Sequence, residues 1–100
     1  MKDKVFAVYI MTSKSKVPLY TGFTGNLALR YWQHREGSLP GFASKYKAKY
    51  LLYYELFEDP ELAILREKQI KGWVRRKKVA LIEKDNPEWR DLGEVLFSTL

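Results

Sequence analysis

The sequence predicts an α+β fold in which helices flank a three-stranded antiparallel sheet. Two short segments rich in β-branched and aromatic residues come first, a third lies mid-chain, and capped helical segments separate and follow them. The chain has 100 residues, of which 46% are hydrophobic and 30% charged, as in an ordinary globular domain. The sequence contains no internal repeat or low-complexity tract, so we expect one domain.

The first two predicted strands form a hairpin. Residues 4–11 are rich in β-branched and aromatic types, and residues 17–21 make the second strand after a polar turn. Pro18 lacks a backbone donor, which indicates that the second strand lies at the edge of the sheet. The third strand is predicted over Tyr50–Phe57.

Capping residues mark the first two helices. Asn26 can cap a helix that runs to about Glu36, where Gly37 provides the stop. Pro60 is suited to the first turn of a second helix, and Gly72 ends or bends it.

The last quarter of the chain is expected to hold another helix and a tail. Residues 73–84 are predicted to be helical, residues 86–87 (Asn-Pro) end that helix, and residues 88–92 form a short turn. The predicted domain therefore covers residues 1–92, and residues 93–100 are expected to be a loosely attached tail.

Composition excludes some classes of protein. The chain has no cysteine, so disulfides and thiolate metal sites are excluded and a reducing compartment is compatible. The apolar stretch 5–11 is too short to span a membrane and lacks the cleavage pattern of a signal peptide. We expect a cytoplasmic protein with no membrane partner.

The charge predicts a polyanionic partner. Eighteen Lys and Arg against twelve Asp and Glu give a net charge of +6. Basic residues occur in two groups, one around residues 45–49 and a second over residues 68–78. Acidic residues directly upstream of the second group favour nucleic acid over membrane as the partner. A solvated helix face is an equally good interpretation of that second group. We expect DNA as partner, with RNA as the alternative. The candidate binding residues are Lys45 and Lys47 in a long loop (37–49), followed by Lys68, Lys71, Arg75 and Arg76.

The first helix carries two candidate site residues. Arg30 and His34 are four residues apart, so they share one side of the helix beside Leu27, at the border of its apolar arc. Such a position suits side chains that reach into a cleft. A surface cation with a packed stem and a structural histidine are the alternatives.

Glu67 is a candidate metal ligand. Its helical neighbours Ala63, Ile64 and Ile70 direct its carboxylate toward the core or the floor of a cleft, where it needs a partner. The partner is either Lys71 at i+4, the commoner arrangement, or one magnesium ion, which keeps several waters and takes its remaining ligands from a phosphate.

Two tyrosines lie beside small residues, in the segments 7–9 (Ala-Val-Tyr) and 20–22 (Tyr-Thr-Gly). A free phenol has a pKa of about 10, so it accepts a proton at neutral pH only where a cation stabilises the phenolate. A proton acceptor, the Arg30 cation and one metal-binding carboxylate would suffice to hydrolyse a phosphodiester.

The order of these motifs resembles the GIY-YIG endonuclease family, through Tyr9, Tyr20, Gly22, Arg30, His34 and Glu67. Residues 66–73, the basic helix and residues 86–89 resemble its small stand-alone bacterial members, which are similar to the nuclease module of the UvrC excision-repair protein. The resemblance covers roughly residues 4–92.

The resemblance implies a GIY-YIG-like fold and metal-dependent hydrolysis of DNA phosphodiester bonds, with DNA repair or recombination as its setting. Tyr9 or Tyr20 would act as, or help deliver, the general base. Arg30 would hold the scissile phosphate, and His34 would assist proton transfer or position the nucleophile. Glu67 would bind one Mg²⁺ or Mn²⁺, and no small-molecule cofactor is implied.

Other positions follow or depart from the family pattern. Gly22 would allow close packing near the phosphate. The first motif is Ala-Val-Tyr rather than Gly-Ile-Tyr, and Phe23 stands where some nucleases have a catalytic lysine. Asn86 either matches a supporting asparagine of the family or simply ends its helix. The alternatives to an enzyme are a catalytically weak nucleic-acid-binding module of the same fold and a domain that binds an acidic protein.

Overall fold

The computed structural model describes residues 4–38, 45 and 47–97. Within them the strands are ordered β2-β1-β3 in one antiparallel sheet, so the predicted α+β class is confirmed. In this part of the chain, no helix is long and apolar enough to cross a membrane. The elements are β1 (Phe6–Thr12), β2 (Tyr20–Thr24), α1 (Leu27–Glu36), β3 (Tyr50–Phe57), α2 (Pro60–Lys71), α3 (Arg75–Asp85) and α4 (Leu92–Phe97).

Side chains of the central strand β1 alternate between two separate cores. Tyr9 and Met11 pack on one face with Tyr31 of α1, and Leu92 and Phe97 of α4 pack against the same cluster. The other core comprises Val8, Ile10, Leu52, Tyr53, Ala63, Ile70 and Ile82, so α2 and α3 cover the opposite face. The helix that carries Arg30 and His34 and the helix that carries Glu67 therefore lie on opposite faces of the sheet.

The second strand is displaced from its predicted position. It was expected at 17–21 but spans Tyr20–Thr24, at the edge of the sheet as predicted. The apolar residues before Tyr20 are held by side chains rather than by the strand ladder. The hydroxyl of Thr12 donates to the carbonyl of Pro18 at 2.7 Å, and the Arg75 guanidinium donates to the carbonyl of Val17.

The predicted caps of the first two helices are confirmed. The Asn26 side chain accepts a hydrogen bond from the backbone N–H of Leu29 at 3.0 Å, and Gly37 ends α1 with a left-handed φ of 72°. Pro60 is the first residue of α2, and Gly72 follows its last residue.

The end of the chain differs from the sequence expectation. The third helix begins at Arg75 rather than at residue 73, because Val74 is extended. The expectation of a loose tail from Gly93 is wrong for residues 93–97, which lie in α4, whereas residues 98–100 are outside the described ranges. Gly93 is buried so close to the ring of Tyr31 that a Cβ there would lie 2.1 Å from Cε1.

Asp91 fastens this last segment to the sheet and to α1. Its carboxylate accepts hydrogen bonds from the Tyr31 hydroxyl at 2.6 Å and from Arg35 at 3.0 Å. It also accepts the backbone N–H groups of Leu51 at 2.9 Å and of Gly93 at 3.1 Å. The Leu51 donor belongs to β3, so Asp91 caps part of the outer edge of that strand.

Candidate active site

Tyr9 and His34, which come from different motifs, meet in the interior. Tyr9 is fully buried in the middle of β1, and its hydroxyl lies 3.1 Å from Nε2 of His34 on α1. Their rings meet edge to face, with centroids 5.5 Å apart. The structure thus joins the tyrosine of the first motif to the histidine of the first helix.

Gly22 makes room for this pair. It lies opposite Tyr9 in the β1–β2 register, and a Cβ there would lie 2.5 Å from both Cζ and the hydroxyl oxygen of Tyr9. Any larger residue would displace the phenol ring, so the glycine is needed for a close approach. The space that the resemblance assigned to the surroundings of a phosphate is filled here by the Tyr9 ring.

Tyr20 completes a cluster of three rings. Its ring centroid lies 6.2 Å from that of Tyr9 and 5.3 Å from that of His34. Tyr20 is partly exposed, whereas Tyr9 and His34 are buried, so Tyr20 lies on the solvent side of the cluster.

Burial keeps both partners of the Tyr9–His34 hydrogen bond neutral at pH 7. Burial, assisted by the positive charge of Arg30, lowers the pKa of His34 to about 4, while the Ala48 backbone opposes the shift. Burial also raises the pKa of Tyr9 above its usual range, and Tyr20 adds to this rise while Arg30 opposes it. The stable arrangement is therefore a phenol that donates to an unprotonated Nε2.

The other ring nitrogen of His34 is buried too. Among the described residues Nδ1 has no hydrogen-bond partner of good geometry. In the tautomer that carries its hydrogen on Nδ1, Nε2 is the acceptor that Tyr9 requires.

Arg30 provides a cation beside this neutral pair. It is partly buried on α1, and its Nε donates to Oε1 of Gln33 at 3.1 Å. Sequence analysis missed Gln33, although its i+3 spacing from Arg30 was a usable signal. A guanidinium that affects the pKa of both Tyr9 and His34 is well placed to hold an anion next to them.

The carboxylate of Glu67 is paired with a lysine of the same helix, α2. Its side chain is 15% exposed, and Oε2 lies 2.8 Å from Nζ of Lys71. The ion-pair alternative from the sequence is therefore present. Helix α2 packs against β1 and β2, the strands that carry both tyrosines.

The donor set near Glu67 fits one hard cation with few protein ligands. Among the described residues, no group of three His, Asp or Glu side chains is arranged to bind a metal. Magnesium accepts a single protein carboxylate when waters and phosphate oxygens complete its shell. The Lys71 side chain is 53% exposed, so its ammonium can move aside.

The candidate nucleic-acid-binding residues differ in their engagement. Arg75 donates to the backbone carbonyls of Lys16 and Val17, which fastens α3 to the β1–β2 turn. All six candidates are exposed to solvent: Lys45, Lys47, Lys68, Lys71, Arg75 and Arg76. Their contact with nucleic acid stays a prediction, and most of the loop between α1 and β3 lies outside the described residues.

The structure shows the surroundings of two further positions that bear on the family pattern, Phe23 and Asn86. Phe23 stacks on Phe6, with ring centroids 6.0 Å apart and planes 8° from parallel. Asn86 is buried, and its Nδ2 donates to the carbonyls of Leu52 at 3.1 Å and Arg90 at 2.9 Å. Its Oδ1 accepts the N–H of Arg90 at 3.0 Å, so the side chain joins the turn after α3 to β3.

Comparison with known proteins identifies the family. Residues 5–80 match the GIY-YIG catalytic domain, and this chain belongs to the GIY-YIG family. It is 34% identical to a UPF0213 protein of Staphylococcus haemolyticus over 76 residues, which are 76% of this chain and 92% of the relative. It is 33% identical to a UPF0213 protein of Staphylococcus aureus over the same shares of both chains.

A solved structure shares the fold. The solution NMR structure of a UPF0213 protein from Bacillus halodurans covers 96% of this chain and 99% of its own, with a TM-score of 0.54. Its sequence identity of 24% supports the fold alone. The expected GIY-YIG-like fold is thus confirmed by both the family match and the architecture.

Proposed function

We propose that this chain is a divalent-metal-dependent endonuclease that hydrolyses DNA phosphodiester bonds, in DNA repair or recombination as the resemblance implies. The observation that carries the proposal is the Tyr9 hydroxyl on Nε2 of a neutral His34, with the Arg30 cation beside both. A proton acceptor next to an anion clamp is what attack of water on a phosphodiester requires.

The proton moves through Tyr9 to His34 in this proposal. Tyr9 is fully buried in the free protein, so substrate binding must admit the attacking water to its oxygen. The phenol oxygen then takes a proton from that water while the phenol proton passes to Nε2, 3.1 Å away. The water oxygen bonds to phosphorus, the bond to the leaving sugar oxygen breaks, and that oxygen takes a proton from solvent. Transfer in one step avoids a free phenolate, which burial at Tyr9 disfavours, and the imidazolium at His34, which burial also disfavours, then returns its proton to solvent. Tyr9 rather than Tyr20 is then the tyrosine that delivers the base.

Arg30 holds the phosphate in this mechanism. Its Nε is bonded to Gln33, which fixes the direction of the guanidinium, and its terminal N–H groups would bind the phosphate oxygens. Charge that accumulates on the phosphate in the transition state strengthens these hydrogen bonds.

Glu67 would hold the metal ion, Mg²⁺ or Mn²⁺. Such an ion, when bound, would neutralise phosphate charge and stabilise the leaving oxygen. The single carboxylate of Glu67 would leave most of the coordination shell of the ion to water and substrate.

The test is cleavage of labelled duplex, single-stranded, flap and branched DNA, and of RNA, with Mg²⁺ or Mn²⁺. Glu67→Gln is compared with Glu61→Gln, an exposed residue of the same helix, with both proteins purified identically. We expect metal-dependent cuts that Glu67→Gln abolishes and Glu61→Gln retains. Equal cleavage by both variants would point to a contaminating nuclease and refute the proposal.

A second candidate is a nucleic-acid-binding module with weak or no catalysis. Phe23 favours it, because an apolar ring stacked on Phe6 stands where some family members have a catalytic lysine. This candidate predicts binding that weakens steeply with salt and no metal-dependent cleavage of any substrate. Binding by Glu67→Gln would then match that of the unmodified chain.

A further inference from the structure

The cation that Glu67 holds in this structure is part of the chain itself. Lys71 lies one helical turn after Glu67, in the favourable order with the acid toward the helix N-terminus, and its Nζ is 2.8 Å from Oε2. A metal ion bound to this carboxylate would bring two positive charges against that ammonium. Both cations therefore compete for Glu67.

A second lysine, Lys78, follows Lys71 across the short link between α2 and α3. Only residues 72–74 separate α2 from α3, and the ring of Trp73 fixes this corner. The Arg66 guanidinium lies 5.2 Å from the centre of that ring, and Lys77 Nζ lies 4.7 Å from it. Lys78 follows on α3, partly buried. Lys71 is the last residue of α2 and Lys78 lies in the first turn of α3, so the short link brings the two lysines to the same corner. In keeping with this placement, burial and then the charge of Lys71 lower the pKa of Lys78.

We propose that Lys71 is the resident counter-ion of Glu67, that a divalent cation displaces it, and that the released ammonium joins Lys78 in holding a DNA phosphate. The inference rests on the proposed function and adds a phosphate subsite to it. In the free protein Lys71 satisfies a largely buried carboxylate, which would otherwise be unpaired. Once a metal ion neutralises the carboxylate of Glu67, the ammonium groups of Lys71 and Lys78 can both bind a DNA phosphate.

This exchange makes metal and DNA binding mutually dependent. Metal on Glu67 frees Lys71 for phosphate, and phosphate on Lys71 frees Glu67 for metal, so each ligand favours the other. Without DNA, Lys71 stays paired with Glu67 and weakens metal binding there. Without metal, the same pair weakens the binding of phosphate by Lys71.

The first test measures Mn²⁺ affinity without DNA, by electron paramagnetic resonance of the free ion. Lys71→Met removes the competing ammonium, and Lys84→Met removes an exposed charge of α3 that is not among the candidate binding residues. We expect Lys71→Met to bind Mn²⁺ about two- to fivefold more tightly than the unmodified chain, and Lys84→Met to change affinity less than about twofold. Unchanged or weaker binding by Lys71→Met would overturn the displacement.

The second test measures DNA affinity by fluorescence anisotropy, in Ca²⁺ and in EDTA. Ca²⁺ should strengthen DNA binding more in the unmodified chain and in Lys84→Met than in Lys71→Met or Lys78→Met. An equal gain in all four proteins would overturn the phosphate subsite.

The outcomes separate this inference from the proposed function. Cleavage that depends on Glu67, together with unchanged Mn²⁺ affinity in Lys71→Met, would leave the nuclease proposal standing and reject the exchange. Tighter Mn²⁺ binding by Lys71→Met without cleavage of any substrate would support the displacement and reject the nuclease.

Discussion

The hydroxyl oxygen of Tyr9 would lie 2.5 Å from a Cβ atom at Gly22, its cross-strand partner. The same hydroxyl is 3.1 Å from Nε2 of His34, so Gly22 and His34 together define the position of the phenol. A residue of the second motif thereby sets the geometry of a residue of the first. The two motifs are coupled through space rather than through a shared ligand.

Gly22→Ala should therefore damage catalysis more than stability. The added methyl group forces the Tyr9 ring away from His34, at a cost of about 1–3 kcal/mol in the free energy of unfolding. We expect metal-dependent cleavage to fall by at least about tenfold, since misplacement by 1 Å can cost more than that. Urea unfolding and cleavage rates measure the two effects.

Gly25→Ala is the matched control. A Cβ at Gly25 would lie 3.1 Å from Cε of Lys4, a flexible side chain that can move. Equal loss of cleavage in both alanine variants would show that the contact with Tyr9 is not what Gly22 is needed for.

Tyr9→Phe removes one oxygen atom and keeps the ring packing. If Tyr9 relays the proton of the attacking water, we expect cleavage to slow by about 10²–10⁴-fold. Tyr54→Phe serves as control, since Tyr54 is the partner of Tyr9 on the other neighbouring strand. A cleavage rate for Tyr9→Phe within a factor of about three of the control would assign the proton transfer elsewhere.

Stability should fall as the solution becomes mildly acidic, because of His34. Its pKa in the folded state is about 4, below the ordinary value of 6.5, so between these values the unfolded chain binds a proton that the folded chain does not. The stabilisation is complete above pH 6.5 and is lost as the pH falls through this window. We expect a loss of about 2 kcal/mol in the free energy of unfolding between pH 7 and pH 5.

Urea unfolding at pH 5, 6 and 7 measures this loss, with His34→Gln as the control that should lack most of it. His34 is the single histidine of the chain, so an NMR titration reports its pKa without assignment. A measured value near 6.5 would contradict the lowered pKa on which this pH dependence rests.

Asn86→Ala should destabilise the fold and spare the chemistry. It leaves the carbonyl of Leu52 and the N–H of Arg90 without their side-chain partner, and we expect a loss of about 2–4 kcal/mol. Cleavage measured well below the unfolding transition should stay within about twofold of the unmodified rate, because the side-chain hydrogen bonds of Asn86 go to the backbone of Leu52 and Arg90 rather than to a candidate site residue.

Asn26→Ala provides a comparison of the same type at an exposed helix cap, where the expected loss of stability is about 1 kcal/mol. A cleavage rate for Asn86→Ala reduced by more than about tenfold, in a folded protein, would instead support a catalytic role for this asparagine.

Local signals explain which parts of the fold were predictable. Asn26, Gly37 and Pro60 act on their own helix ends, and the structure places those ends as expected. The second strand was misplaced because its interior contains Gly22, which local propensity counts against a strand. The reason for that glycine, the ring of Tyr9, lies on another strand.

The candidate site was predictable in membership but not in arrangement. Helical spacing placed Arg30 and His34 on one side of α1, yet the hydrogen bond from Tyr9 joins positions 25 residues apart. Asp91 gave no signal at all, since the partners it has at long sequence separation belong to two other segments, α1 and β3. Contacts of that kind have no period or local motif in the sequence.

The outer edge of β3 has a consequence for the length of the folding unit. The family match ends at residue 80, but the N–H of Leu51 and the carbonyl of Leu52 are bonded to Asp91 and Asn86. A fragment cut after residue 80 would keep every candidate catalytic residue and leave these strand groups unpaired. An open edge of this kind recruits strands from neighbouring molecules. The segment that carries the candidate catalytic residues and the segment that closes this edge therefore differ in length.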